Sequence, residues 1–277
     1  MGPFYHELVA LRKLIHCTLF LVVILLHSSC SGLSLWPLWG RAENDFFATH
    51  QEIPADDYLL HIEKLGDFFL QTEEVKTINL SKESSLYLKK IYERIVANNE
   101  LLLKHDYQPT FNIINESTPF VFSLPRAKFY LSTGVINRYL RNEGVLVAAL
   151  TYEIIKTQNK LYPKKRIVPI GHLSIERMIS LTRIPLDVRL EIDRWSFFAL
   201  ERAGYDPYAF MLWIQLQNKN ALDFTLHYGD ARGISREEFL LKNILVRERN
   251  DDAFEDSEQY QSSDGFYRFQ QELKRTK

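Results

Sequence analysis

Three observations make this chain an α+β protein dominated by helix. Apolar residues recur at i, i+3 and i+4 over most of the length from Asp56 onward. Short alternating apolar runs, bounded by proline and glycine, interrupt that period between Pro109 and Gly134. The 277 residues are 46% apolar and 25% charged, the mix of a globular domain with tails rather than of a disordered chain. With 34 basic and 35 acidic side chains the net charge is −1, so the basic excess of a nucleic-acid binder is missing and no nucleic acid is expected as a partner.

Residues 1–30 read as a targeting segment. Arg12 and Lys13 precede an apolar stretch, 14–26, that is shorter than the roughly 20 residues a spanning helix needs. Ser28 and Ser29 before Cys30 resemble a bacterial lipoprotein cleavage site, which makes Cys30 the expected lipidation site and new N-terminus. An uncleaved anchor, helped by Leu33, Leu35, Trp36, Leu38 and Trp39, and a plain cleaved secretory signal stay open beside it. Each reading places the body outside the cytoplasm or against a membrane, so the expected location is the periplasmic side of a bacterial cell envelope. Both cysteines, Cys17 and Cys30, fall in this segment, so no internal disulfide is expected to staple the body. Residues 31–55 read as a tether.

The body, 56–249, begins with a helix presenting Tyr58, Leu59, Ile62, Leu65 and Phe69 on one face. A second helix starts near Ser81 and carries Leu86, Leu88, Ile91, Ile95 and Leu102. Strands are expected around Phe111-Asn112-Ile113, Phe120-Val121-Phe122 and Lys128-Phe129-Tyr130-Leu131. Helices follow over 135–140, 143–160, 174–181, 186–203 and 207–217. Gly204 is the expected stop of the fourth, and Asp206 the N-cap of the fifth with Pro207 at its first position. Residues 250–277 form an acidic linker and a C-terminal tail whose last dozen residues are expected to dock as a helix.

Two blocks carry a family resemblance. The first spans 118–157 and reads Phe122 to Pro125, then Ser132-Thr133-Gly134-Val135, then Asn142-Glu143 into Leu150-Thr151-Tyr152-Glu153-Ile154-Ile155-Lys156. The second is Glu191-Ile192-Asp193-Arg194 followed by Ala203-Gly204-Tyr205-Asp206-Pro207. Over roughly 56–247 the chain resembles the membrane-associated zinc metallopeptidases of the HtpX, BepA and CAAX prenyl endopeptidase type. The resemblance implies a zincin-like domain with a small sheet and an active-site helix pair. In that family a helix carries His-Glu-x-x-His, two zinc ligands and a general base, because residues four apart reach one metal from the same face.

Here the histidine positions of the motif fall on Tyr152 and Lys156, the third ligand on Arg189, and only Glu153 keeps the family's residue, at the general-base position. None of the eight histidines lies four residues from another. An ammonium or guanidinium offers no lone pair to zinc, so no cofactor is expected although the family uses one. Lys156 is three residues from Glu153 and Arg189 four before Asp193, both same-face spacings. The expectation is that these cations stand in for the metal and pair with Glu153 and Asp193. The resemblance places Glu191, Asp193 and His227 around the site, with Arg236 as a trailing arginine; on the residues alone His227 is a loop histidine. It also makes Phe129, Tyr130 and Leu131 an edge strand for an extended peptide.

Three functions compete. One is a membrane-tethered pseudopeptidase that binds peptide segments or a partner protein in the envelope. Another is an active metalloendopeptidase with a non-standard ligand set, Glu153, Glu191 and His227. The last is a structural envelope lipoprotein.

Overall fold

Helix α1 (Ala55–Leu70) buries Tyr58, Ile62, Leu65 and Phe69, the spacing that its apolar residues require, while Leu59 stays half-buried. The computed structural model that shows this describes residues 55–104, 106–163, 173–229, 231–249 and 261–275. The targeting segment with Cys17 and Cys30, the tether up to Pro54, His172 and residues 250–260 of the acidic stretch lie outside the described residues. Those described belong to one compact unit, Ala55–Lys277.

Gly66 lets α1 lie close to the sheet, since a Cβ there would come within 2.6 Å of the Tyr130 hydroxyl and collide with Leu124. After a two-residue strand β1 (Thr77–Ile78), which no sequence pattern announces, α2 (Lys82–Ala97) starts at Ser81. The Ser81 side chain accepts the Ser84 amide, satisfying a donor that the first turn leaves unpaired. Its inner face is Leu88, Ile91 and Ile95; Leu86 is exposed and Leu102 lies beyond the helix.

Strands β2 (Thr110–Ile114), β3 (Val121–Leu124) and β4 (Lys128–Ser132) coincide with the three apolar runs. The sheet order is β1-β2-β4-β3, with β2 parallel to β4 and the other two pairs antiparallel. The β3–β4 turn puts Arg126 and Ala127 at φ of 64° and 55°, a left-handed conformation that side chains disfavour. Thr157 pins the turn by accepting the Ala127 amide at 3.3 Å and donating to the Leu124 carbonyl at 2.8 Å.

Short α3 (Thr133–Arg138) leads into α4 (Glu143–Gln158), capped by the Asn142 side chain on the Val145 amide. Helices α5 (Ile175–Leu181), α6 (Leu186–Arg202), α7 (Tyr208–Lys219), α8 (Ala221–Tyr228) and α9 (Ala231–Arg249) follow. Gly204, at φ 69°, ends α6, and Arg94 donates to the carbonyls of Ala203 and Gly204 at 2.7 and 3.0 Å, tying α2 to that end. Asp206 caps α7 by accepting the Tyr208 amide at 2.9 Å, and Pro207 precedes the helix rather than opening it. Helix α4 packs on α6, α7 and the sheet edge β3, while α9 covers α6 and α7.

The last helix, α10 (Asp264–Arg275), buries Phe266, Phe269 and Leu273 against α2 and α3, as the amphipathic tail leads one to expect. Its Glu272 accepts from Ser81, while Ser263 donates to Glu143 at the start of α4. The result is an α+β arrangement, mostly helical, with a small mixed sheet. Among the described residues no helix is long and apolar enough to cross a membrane.

Candidate functional site

Tyr152, Glu153, Lys156, Arg189 and His227, brought forward from distant parts of the sequence, line one cleft between β3, α4, α6 and α8. Helix geometry puts Tyr152, Glu153 and Lys156 on neighbouring sides of α4, and the α4–α6 packing brings Arg189 to them.

Glu153 is buried, and a single oxygen of its carboxylate, Oε2, takes three donors. The Ser123 amide, the Ser123 hydroxyl and Lys156 Nζ each lie 2.7 Å from it. The Lys156–Glu153 pair expected from the spacing is present, with both side chains 5% exposed or less. Glu153 Oε1 has no protein donor among the described residues. The ring of Tyr162 lies 6.0 Å from Lys156 Nζ, with its hydroxyl 3.4 Å from Ser123 Oγ.

Arg189 departs from its expected pairing. Its Nε donates to Glu237 Oε2 of α9 at 2.7 Å, and its guanidinium lies over the Tyr228 ring at 4.5 Å. Asp193, one turn on, is fully buried and faces Glu237 rather than taking an ion pair of its own. Burial, then the charge of Glu237 and a hydrogen bond to it, pushes the Asp193 carboxyl far above the ordinary range against the pull of Arg189. Burial also raises Glu237, opposed by Arg189. Two carboxyls sharing a dry site cannot both ionise, so Asp193 and Glu237 hold one proton between them beside Arg189. The arginine and the singly protonated carboxyl pair thus sum to zero charge. An arginine bonds the carboxylate that tertiary packing presents, and α9 presents one nearer than its own helix does.

His227 lies on α8, not in a loop. Burial, then the charges of Lys156 and Arg183, holds its pKa down to about 3, opposed by a hydrogen bond to the Pro119 carbonyl. The ring is neutral, and its Nε2 is buried without a partner among the described residues. Tyr152 and Tyr228 lie deep in the cleft yet keep part of their surface open to it. Burial, then nearby carboxylates, pushes both hydroxyls well up, so both remain donors. That of Tyr228 bonds Gln217 at 2.7 Å.

Three sequence expectations are corrected. Glu191 does not join the site: it sits on the outer face of α6, 61% exposed, 3.6 Å from Arg194, because the two-residue step from Arg189 turns a side chain about 200° around the helix. Arg236 is likewise exposed, while its neighbour Glu237 points inward. Phe129, Tyr130 and Leu131 do not form an edge strand. They lie in the middle of the sheet, hydrogen-bonded on both sides, because β2 pairs with β4 opposite β3. The edge on that side is β3, where the Ser123 amide is already taken by Glu153. A strand with both ladders filled has no donors to offer a peptide.

Ser123, Glu237 and Arg183 escaped the sequence reading. Ser123 has a signal, being the polar residue within an apolar strand. Glu237 has one too: it interrupts the buried stripe Ile234, Leu241, Leu245 at helical spacing.

The donor chemistry does not suit zinc. Two of the three positions that the family fills with ligands carry cations held in ion pairs, and the third a protonated phenol. The alternative set Glu153, Glu191 and His227 does not converge, with Glu191 turned outward. Among the described residues no group of three or more His, Cys, Asp or Glu side chains is placed to hold a metal ion. No protein-family model matches the chain, and no curated protein matches it.

Proposed function

We propose that this chain is a non-catalytic relative of the zinc metallopeptidases. Tethered to a bacterial envelope membrane through its N-terminal segment, it uses a zincin-like cleft to bind peptide segments or a partner protein. The observation that carries this reading is the Lys156 ammonium bonded to Glu153. A general base must hold a water activated by the metal; here one oxygen of its carboxylate, Oε2, is taken up by Ser123 and Lys156. Support also comes from the helix pair α4–α6 beside an antiparallel sheet edge, and from a cleft where Tyr152, Lys156 and Arg189 meet.

Because β3 offers no free amide at Ser123, binding rests on side chains of the cleft rather than on strand addition along β4. The test uses the full-length protein purified from membranes. Metal analysis is expected to find no stoichiometric zinc, and casein-type substrates to remain uncut. Stoichiometric zinc, lost together with peptidase activity in Glu153→Ala, would overturn the reading. The structural-lipoprotein alternative is favoured instead if neither peptides nor envelope proteins bind the cleft and substitutions within it leave the strain's envelope intact.

A further inference from the structure

Resting on the peptide-binding reading above, we infer that the cleft recognises a carboxylate, specifically the free C-terminal carboxylate of a peptide, through Arg183 and Tyr152. Four observations point there.

Charge comes first. The lining carries Lys156, Arg183 and Arg189 against the single carboxylate of Glu153. Lys156 and Arg189 are neutralised by Glu153 and Glu237, but Arg183 has no ion pair among the described residues. Its Nε donates to the Leu226 carbonyl at 2.7 Å, which fixes the guanidinium and leaves its two terminal nitrogens unfilled. A held arginine with two spare donors suits the two oxygens of a carboxylate.

The second observation is Tyr152, whose hydroxyl has no hydrogen-bond partner among the described residues. Kept protonated by burial, it is a further donor for an anion.

Third are the acceptors beside them. Among the described residues Glu153 Oε1 takes no donor, its bonds all going to Oε2, and the buried His227 Nε2 has no partner. A bare inorganic anion has no use for acceptors. The last residue of a peptide does, since it carries an N–H next to its carboxylate. The cleft thus has two kinds of unfilled group, and a C-terminal residue presents the complement of both.

Size is the fourth. The space within the cleft is about 50 Å³, on the scale of a carboxylate with its α-carbon. It admits a chain end and excludes a bulky side chain.

The experiment is a titration of the full-length protein in detergent with N-acetyl tetra-alanine as the free acid, the same peptide as its C-terminal amide, and acetate alone. The free acid is expected to bind at least tenfold tighter than the amide. Arg183→Gln should abolish that difference, and Tyr152→Phe, which removes only the hydroxyl, should weaken the acid about threefold with little effect on the amide. Unchanged melting temperatures show that both variants fold. Equal binding of acid and amide overturns the carboxylate inference while leaving the peptide reading standing. Arg183-dependent binding of acetate without any binding of either peptide supports the carboxylate chemistry and removes the peptide as its source. No binding of any of the three probes overturns both.

Discussion

Two charged clusters in this protein use the same side chains at different depths. In the cleft, Lys156 serves Glu153 alone and Arg189 serves Glu237, with every member less than one-tenth exposed. On the far side of β3 and β4, Glu63 and Asp67 of α1 meet Arg126 and Lys128 of the β3–β4 hairpin. There Lys128 reaches Glu63 at 3.1 Å and Asp67 at 2.6 Å, and Arg126 reaches Glu63 at 3.2 Å. Each ion in this second cluster has a substitute or a share of solvent: Lys128 is 19% exposed, Asp67 37% and Arg126 54%. Exclusivity with burial, against redundancy with exposure, decides what each pair is worth. A buried pair contributes little net against an apolar replacement, but removing one partner strands the other in a medium that cannot solvate it.

The cleft should therefore break hardest when one partner is removed. Lys156→Met is expected to cost about 3–5 kcal/mol, because it leaves the buried Glu153 carboxyl without its cation and with only the Ser123 donors. For a domain of this size that lowers the melting temperature by roughly 10 °C, read by calorimetry. Adding Glu153→Gln removes the stranded charge, so the double variant should recover most of the loss. A double variant no better than the single one would show that packing, not charge, is at stake.

Arg189→Met should come next, at about 2–4 kcal/mol near pH 7, because Glu237 can escape by taking a proton. Folded Asp193 and Glu237 hold protons more tightly than they would unfolded. The unfolded state ionises first as pH rises, so stability falls upward from about pH 4. Losing Arg189 pushes both carboxyls further up and steepens that fall. The melting-temperature gap to the native protein should thus widen between pH 5 and 8; a gap independent of pH would sink the shared-proton account.

His227 tests the same cleft with the opposite sign. Its folded pKa of about 3 lies below the unfolded value, so the unfolded state binds the extra proton and native stability drops as pH falls from about 6.5 toward 3. His227→Asn should cost about 1 kcal/mol at pH 7 and remove that slope. Because Asp193 and Glu237 oppose it in the native curve, the difference between variant and native protein is the quantity to plot.

These clusters also mark where sequence stops informing. Lys156 beside Glu153 was legible because both sit on one helix and i, i+3 spacing fixes their approach. The partner of Arg189 was not, since α9 supplies it from 48 residues away and only packing decides which carboxylate arrives first. The strands were legible from alternation, but the central place of β4 was not. Adjacent β3 and β4 pair as a hairpin, whereas β2 reaches the opposite side of β4 across the length of β3, a parallel pairing that no local pattern encodes. Glu191 failed for a smaller reason: a shift of two residues along a helix moves a side chain to the other face.

The smallest effect should come from the outer cluster, and it is the one that gives the comparison its edge. Lys128→Met makes the same chemical change as Lys156→Met, lysine to a flexible apolar chain, and also removes two short contacts rather than one. By contact count it should be the worse lesion. Its exposure instead limits the cost to about 1 kcal/mol or less, because Glu63 keeps Arg126 and Asp67 keeps water and Lys64 at 3.6 Å. Part of that cost should vanish in 1 M salt, where the Debye length is about 3 Å and exposed pairs are screened, whereas the Lys156→Met loss should hardly change. Equal losses for the two lysines, or equal responses to salt, would mean that depth does not separate the clusters. The cleft would then lose its standing as a place where cations hold together what a metal holds in the family it resembles.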